Sequence, residues 1–207
     1  MKKILSFLLS VILLAGVVAS LPAFAAKTGF SDVAEDRWSA GSVAYAVEKG
    51  YMKGVGGGKF DPEGSLTRAM VATVLWRREG EPAPAAPSGF SDVPSGEWYA
   101  DAVAWAAENG IVTGKTETTF APMENITREQ FAAMLMRYAK FAGIDTAAAA
   151  NLGDYADSAA ISAYAKEALA WANAAGIITG RTATTLAPAG NANRGEAATM
   201  LMRFMQL

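Results

Sequence analysis

Apolar positions recur at helical spacing in paired stretches along the chain, and each pair is punctuated in the same way. The clearest first member holds Trp98, Ala102, Val103, Ala106 and Ala107, closed by Gly110 where a left-handed residue is wanted to end a helix. Trp38, Val43 and Val47 before Gly50, and Tyr164, Ala168, Leu169 and Ala172 before Gly176, read likewise. A loop of about a dozen residues then runs through Gly54, Gly114 or Gly180 to Pro62, Pro122 or Pro188, with room for a short extended piece at its Thr-Thr-Phe or Thr-Thr-Leu stretch. A second helix is predicted to open at Thr67, Thr127 or Asn193. Its apolar face is Val71, Val74 and Leu75 in the first case, Phe131, Met134, Leu135 and Tyr138 in the second, and Ala197, Met200, Leu201 and Phe204 in the third.

This pattern is a threefold repeat. Gly-Phe-Ser-Asp-Val stands at 29–33 and again at 89–93, an offset of 60 that also carries Phe60 onto Phe120, Pro62 onto Pro122 and Arg68 onto Arg128. An offset of 66 carries Trp105 onto Trp171, Pro122 onto Pro188, Arg128 onto Arg194 and Arg137 onto Arg203. One copy cannot bury its own apolar face, so the three must share a core. The expected class is mainly α, with helix-loop-helix copies at 29–80, 89–142 and 152–207 joined by a Pro/Ala linker (81–88) and an Ala-rich linker (143–151). Trp105 and Trp171, mid-helix, are expected in the core.

Lys2-Lys3, an apolar run over 4–19 and Ala23-Phe24-Ala25 make residues 1–25 an expected signal peptide. The run is shorter than the ~20 residues of a spanning helix. The chain has no cysteine, which excludes a lipid-anchored lipoprotein, disulfides and thiolate chemistry. No second long hydrophobic segment follows, so the expectation is an exported protein, without membrane contact after cleavage and without a passenger domain beyond the repeats. Its 18 basic and 20 acidic residues give a net charge of −2, or −4 once Lys2 and Lys3 leave with the leader, and no Lys/Arg run exists to neutralise a nucleic-acid backbone.

Catalytic chemistry is poorly provided for. With no histidine and no cysteine, the common triads and most zinc hydrolases are excluded. Carboxylates such as Glu35, Asp36 and Glu97 fall in capping regions rather than one cleft, which argues against a two-carboxylate glycosidase. Asp32, Glu35 and Asp36 do not follow an EF-hand loop. No enzyme activity, metal or cofactor is expected.

What the copies share is an arginine at the head of the second helix. Thr127 with Gln130 and Asn193 with Glu196 have capping-box spacing, whereas Thr67 is followed by Met70 and keeps only half of it. Arg68, Arg128 and Arg194 would then sit at N1, beside free N–H groups and the positive end of the helix dipole, a setting that attracts a carboxylate or phosphate. The alternative is an arginine paired within its own chain. Asp32, Asp92 and Asp157 either tighten a turn or accept hydrogen bonds from a sugar hydroxyl. Trp38 and Trp98 open their helices, either as core residues or as faces on which a pyranose ring stacks.

Phe/Tyr-x-Asp, an aromatic-led helix, Gly-Ile/Tyr-x-x-Gly, Phe-x-Pro and Ile/Leu-Thr-Arg, taken together over 29–207, resemble the S-layer homology repeat. The resemblance implies three repeats in a pseudo-threefold helical domain that binds secondary cell wall polymers non-covalently, often ones capped by pyruvylated amino sugars, in grooves between neighbouring repeats. The family's Thr-Arg-Ala-Glu signature, whose arginine is associated with ligand, reads here Thr67-Arg68-Ala69-Met70, Thr127-Arg128-Glu129-Gln130 and Asn193-Arg194-Gly195-Glu196. The implied binding residues are Arg68, Arg128, Arg194, Trp38, Trp98, Asp32 and Asp92, at a secreted, wall-bound protein of the cell surface. The alternative is a structural or adaptor protein acting through contacts with other surface proteins. Two expectations follow. Replacing Arg68 and Arg128 by Ala should leave the fold nearly unchanged, and Arg194, beside the diverged Tyr164 of its own copy, should matter least.

Overall fold

A computed structural model describes residues 28–207, so the leader at 1–25 lies outside the described residues. Six α-helices are described: α1 (Ala40–Glu48), α2 (Arg68–Arg78), α3 (Ala100–Glu108), α4 (Arg128–Phe141), α5 (Lys166–Ala174) and α6 (Arg194–Phe204). Two 3₁₀ turns, Ser158–Ala160 and Ala163–Ala165, precede α5. Gly50, Gly110 and Gly176 each follow a first helix at φ of 73°, 69° and 69°, the left-handed ending that the sequence predicts. At the second helices, Thr127 with Gln130 and Asn193 with Glu196 form complete capping boxes, while Thr67 accepts the Met70 N–H alone. The Thr-Thr stretches form turns rather than strands.

The packing unit is not the sequence repeat. Helix α2 of the first copy lies against α3 of the second, α4 against α5, and α6 returns to pack on α1, closing a ring of three. Trp171, Tyr138, Phe131 and Phe204 are fully buried, and Phe204 of α6 meets both Tyr138 of α4 and Trp171 of α5 at centroid distances of 5.7 and 6.2 Å. One core therefore serves all three copies. Trp105 is 4% exposed, the core position expected of it.

At the centre the closure is made by backbone. The N–H of Leu66 donates to the carbonyl of Ala192, that of Ala192 to Ile126, and that of Ile126 to Leu66, a cyclic set of three bonds among residues without solvent exposure. Immediately outward, the first free N–H groups of each second helix are met by the loop of the next copy. Arg68 and Ala69 donate to Glu124 and Pro122, Arg128 and Glu129 to Gly190 and Pro188, and Arg194 and Gly195 to Gly64 and Pro62. Orphan donors at a helix start must be satisfied somewhere. Here the neighbouring copy satisfies them, so the start of each second helix is closed to an anion.

The acceptor loops hold an unfavourable backbone shape. Asp61, Ala121 and Ala187 have φ of 57°, 58° and 55°, in the left-handed region that non-glycine residues seldom adopt, each just before a proline. Asp32 accepts the N–H groups of Phe60 and Asp61 with its two carboxylate oxygens at 2.9 and 2.8 Å, and Asp92 and Asp157 do the same for Phe120 with Ala121 and Leu186 with Ala187. The Leu186 amide, then the Ala187 amide, draw the Asp157 carboxyl below its ordinary value against burial; for Asp32, burial pushes upward but the Phe60 and Asp61 amides outweigh it. The linkers are also docked. Trp76 Nε1 donates to the Pro82 carbonyl at 2.8 Å, and Trp171 Nε1 to that of Asp145 at 3.3 Å.

A carboxyl whose folded pKa is depressed adds stability above its unfolded value and loses it as pH falls through the folded one. Thermal unfolding followed by circular dichroism should accordingly give a melting temperature nearly flat above about pH 5 and falling below about pH 4. Asp157→Asn should melt lower at neutral pH and lose less on acidification; an acid limb as steep as that of the wild type would show that the clamp is not what titrates.

Candidate functional site

The three N1 arginines are buried, at 5%, 3% and 6% exposure for Arg68, Arg128 and Arg194. Each guanidinium reaches into the next copy and donates twice to backbone. Arg68 Nε and Nη2 bond the carbonyls of Phe120 and Thr113 at 2.8 and 2.9 Å, Arg128 bonds Leu186 and Thr179 at 3.0 and 2.6 Å, and Arg194 bonds Phe60 and Lys53 at 2.8 and 2.7 Å. Arg68 and Arg194 also lie 4.6 and 4.5 Å from the ring centroids of Phe120 and Phe60; the third loop has Leu186 there and offers no ring. Burial pulls all three pKa values down, yet an arginine stays charged. These residues are first of all bridges between copies. That corrects the sequence expectation of guanidinium groups beside free amides whose loss leaves the fold untouched.

Nη1 of these arginines is left over from the pair of carbonyl bonds, and each arginine lines a groove that draws on all three copies. The first is lined by Trp38 from copy one, Arg128 from copy two, and Arg181, Glu196 and Arg203 from copy three, with a cavity of about 270 Å³. The second joins Tyr164 from copy three and Arg68 from copy one to Lys115, Gln130 and Arg137 of copy two, at about 340 Å³. The third joins Trp98 of copy two and Arg194 of copy three to Lys53, Met70 and Arg77 of copy one, at about 130 Å³. Arg194 therefore shares its groove with Trp98, and Tyr164 belongs with Arg68. The expected pairing of Arg194 with Tyr164 inside one copy is corrected, and the ranking built on it loses its premise.

Trp38 and Trp98 do not enter the core. Their helices begin two residues later, at Ala40 and Ala100, and the rings stand on the lips of their grooves, 61% and 51% exposed. Tyr164, 54% exposed, is aimed from behind: its hydroxyl donates to Glu129, which also accepts the Ser162 N–H and hydroxyl. Burial and that carboxylate push the phenol up to about 12. Asp32 and Asp92 lie outside the grooves, both oxygens engaged by backbone amides. They set the carbonyls of Phe60 and Phe120 that Arg194 and Arg68 grasp.

Sequence reasoning missed the outer cations. Arg77, Arg137 and Arg203 stand at one repeated position and line all three grooves, with longer contacts of 3.3, 3.5 and 3.5 Å to Tyr51, Thr113 and Ile177. The signal was present in the 60- and 66-residue offsets that superpose them. Lys115 and Arg181 occupy a second repeated position, after Gly114 and Gly180. A Cβ on those glycines would fall 2.1 and 2.3 Å from the carbonyls of Thr116 and Thr182, so only glycine lets the loop turn beside the groove.

Comparison with known proteins gives matches to the S-layer homology domain over residues 29–70, 89–132 and 154–198. The chain belongs to that family. Membership makes it a secreted, wall-associated protein of the cell surface and supports surface anchoring as its general role. It is 33% identical to an endoglucanase of Bacillus sp. (strain KSM-635) over 85% of its length and 18% of that protein's. It is 31% identical to the Surface-layer 125 kDa protein of Lysinibacillus sphaericus, over 80% of this chain and 14% of that one. With S-layer protein sap of Bacillus anthracis the identity is 36%, over 65% of this chain and 16% of the other. The chain thus spans less than a fifth of each of these relatives.

Because each arginine is buried and supplies two donors to the next copy, one of them to a buried carbonyl, Arg68→Ala should destabilise the domain by roughly 1–3 kcal/mol, and Arg68→Lys by less, since an ammonium keeps the charge but not the fork. Denaturant unfolding monitored by tryptophan fluorescence measures this. A variant as stable as the wild type would remove the bridging role.

Proposed function

We propose that the domain attaches to the cell wall by binding an anionic secondary cell wall polysaccharide, with a sugar acid such as a pyruvate ketal held in the grooves. The observation that carries this reading is the exposed aromatic ring on the lip of each groove, facing basic side chains contributed by other copies. An arginine pair can hold a carboxylate through parallel charged hydrogen bonds. An amphipathic ring beside it offers an apolar face to the sugar's C–H surface. The grooves are open, as binding along a polymer rather than engulfing a small molecule requires. Matching segments in proteins named endoglucanase and surface-layer protein, each a minor part of the whole, fit attachment better than catalysis. In this reading the domain itself is not an enzyme. Arg68, Arg128 and Arg194 serve both as bridges and, through Nη1, as groove floor; Trp38 and Trp98 are ligand contacts; Asp32 and Asp92 act at one remove by fixing the loops.

The protein should sediment with isolated walls and be released when the non-peptidoglycan polymer is chemically stripped. Arg137→Ala, which removes an outer cation without touching the bridges, should weaken wall binding by about tenfold with the melting temperature unchanged, the effect of one charged hydrogen bond. Equal sedimentation with stripped and intact walls would defeat polymer recognition and favour an adaptor acting through protein contacts.

A further inference from the structure

The joint between α4 and α5 holds a buried carboxylate that the other two joints lack. Glu129, 6% exposed, stands at the second position of α4, where α2 has Ala69 and α6 has Gly195. At Gly195 there is no room for a carboxylate, since even a Cβ would come within 3.1 Å of the Pro62 carbonyl and 3.2 Å of the Ser39 hydroxyl. In the third copy the aromatic follows its aspartate by seven positions, Asp157 to Tyr164, against six from Asp92 to Trp98, and the longer path runs through the two 3₁₀ turns. That detour sets Ser162 and Tyr164 over Glu129.

The carboxylate fixes the direction of every bond it makes. Its Oε2 accepts the Ser162 N–H at 3.0 Å, and Oε1 accepts the Ser162 hydroxyl at 2.7 Å and the Tyr164 hydroxyl at 3.2 Å. A carboxylate has no proton to give, so Tyr164 spends its only proton on Glu129. Burial and the Glu129 charge, against the opposing pull of Arg68 and Arg137, push the phenol up to about 12, and the proton stays in place across the neutral range. No group among the described residues donates to Oη in return, and the side chain is 54% exposed, so its lone pairs are left for a ligand. Trp38 and Trp98 present the opposite chemistry, because an indole N–H donates and accepts nothing. Among the described residues neither indole N–H is bonded; the groups that flank the rings are Arg37, 5.9 Å from the Trp38 centroid, and Tyr99, edge-on at 5.1 Å from that of Trp98.

On the reading that the grooves take an acidic wall saccharide, we propose that Glu129 is a positioning residue that makes the Tyr164 groove selective for a sugar hydroxyl beside the acid. Arg68 and Arg137, which form no ion pair among the described residues, hold the acid, while Lys115 is paired with Glu124. Oη of Tyr164 accepts the hydroxyl proton of the same sugar, a bond strengthened because its own proton is drawn toward a charge. The Trp38 and Trp98 lips can only donate. Glu129→Gln reverses this polarity without emptying the joint. The Ser162 N–H is fixed, so the Gln oxygen must face it, which turns the NH₂ group toward the Ser162 hydroxyl and Oη. Tyr164 then accepts from Gln, and its freed proton makes the lip a donor.

The probes are a methyl N-acetylhexosaminide with a 4,6-pyruvate ketal, whose one free hydroxyl is at position 3, and its 3-deoxy analogue. Binding is followed by NMR through the ring signals of Tyr164 and the indole N–H signals of Trp38 and Trp98. At Tyr164 the deoxy sugar should bind about fivefold more weakly than the parent, the worth of one hydrogen bond. Tyr164→Phe, which keeps the ring, should bind the two sugars alike. Glu129→Gln should do the same, and its Tyr164 phenol should titrate below about 12, nearer the ordinary value of 10.0. A Glu129 that merely braced the joint would alter neither the preference nor the titration. A deoxy sugar bound as tightly as the parent at Tyr164, a penalty that persists in either variant, a phenol that still titrates near 12 in Glu129→Gln, or a ketal that perturbs only the indoles overturns this inference alone. Failure of the ketal to perturb any of the three rings overturns the acidic-saccharide reading and this inference with it.

Discussion

The structure depends on a transfer of hydrogen-bonding obligation from each copy to the next. Every second helix starts with backbone donors that its own copy does not satisfy, and every neighbouring loop turns carbonyls toward them. The arginine at the head of the helix extends that exchange by two side-chain bonds, deep enough that the guanidinium is buried. Removal of the arginine in such an arrangement leaves a buried acceptor without its donor, a cost larger than the net value of that bond itself. Each copy is therefore completed only by the next, and the third must return to the first. The cyclic bonds of Leu66, Ile126 and Ala192 are the geometric expression of that closure.

The same constraint locates the grooves. Because a second helix packs against the first helix of the following copy, the residues just before that first helix are carried over the mouth of a groove built elsewhere. Trp38 thus stands over α6, Tyr164 over α4 and Trp98 over α2. None of these three grooves lies within a single copy. The arginine's double position, between the copies and on the groove floor, makes stability and binding share one side chain. The outer cations at 77, 137 and 203 are freer to act on a ligand alone.

Local features were legible in the sequence wherever the physics is local. The left-handed glycines, the capping boxes at Thr127 and Asn193, and the burial of Trp105 and Trp171 all follow from spacing within one or two turns of helix. The family resemblance was legible because its pieces recur at fixed offsets. What was not legible is which copy meets which, since an offset gives equivalence and says nothing about adjacency. That gap produced the mistaken partnership of Arg194 with Tyr164 and the picture of arginines beside free amides. The aspartates fall between these cases. A turn-tightening role was available to reason, but the turn that Asp32 holds lies at Phe60 and Asp61, a separation no local rule supplies.

Copies bound to one another in this way cannot vary equally at all positions. A change at 68, 128 or 194 disturbs two copies, and a change at 32, 92 or 157 releases a strained loop that a third element grasps. The third helical residue is different, because its side chain needs at most to reach back to the N-cap amide. Met70 forgoes that bond, Gln130 makes it without charge and Glu196 makes it with charge, all on helices that form alike. Variation there alters the electrostatics of a groove at little structural cost. Positions of this kind, tolerated by the fold and facing the ligand space, are where a threefold scaffold can acquire three unequal sites.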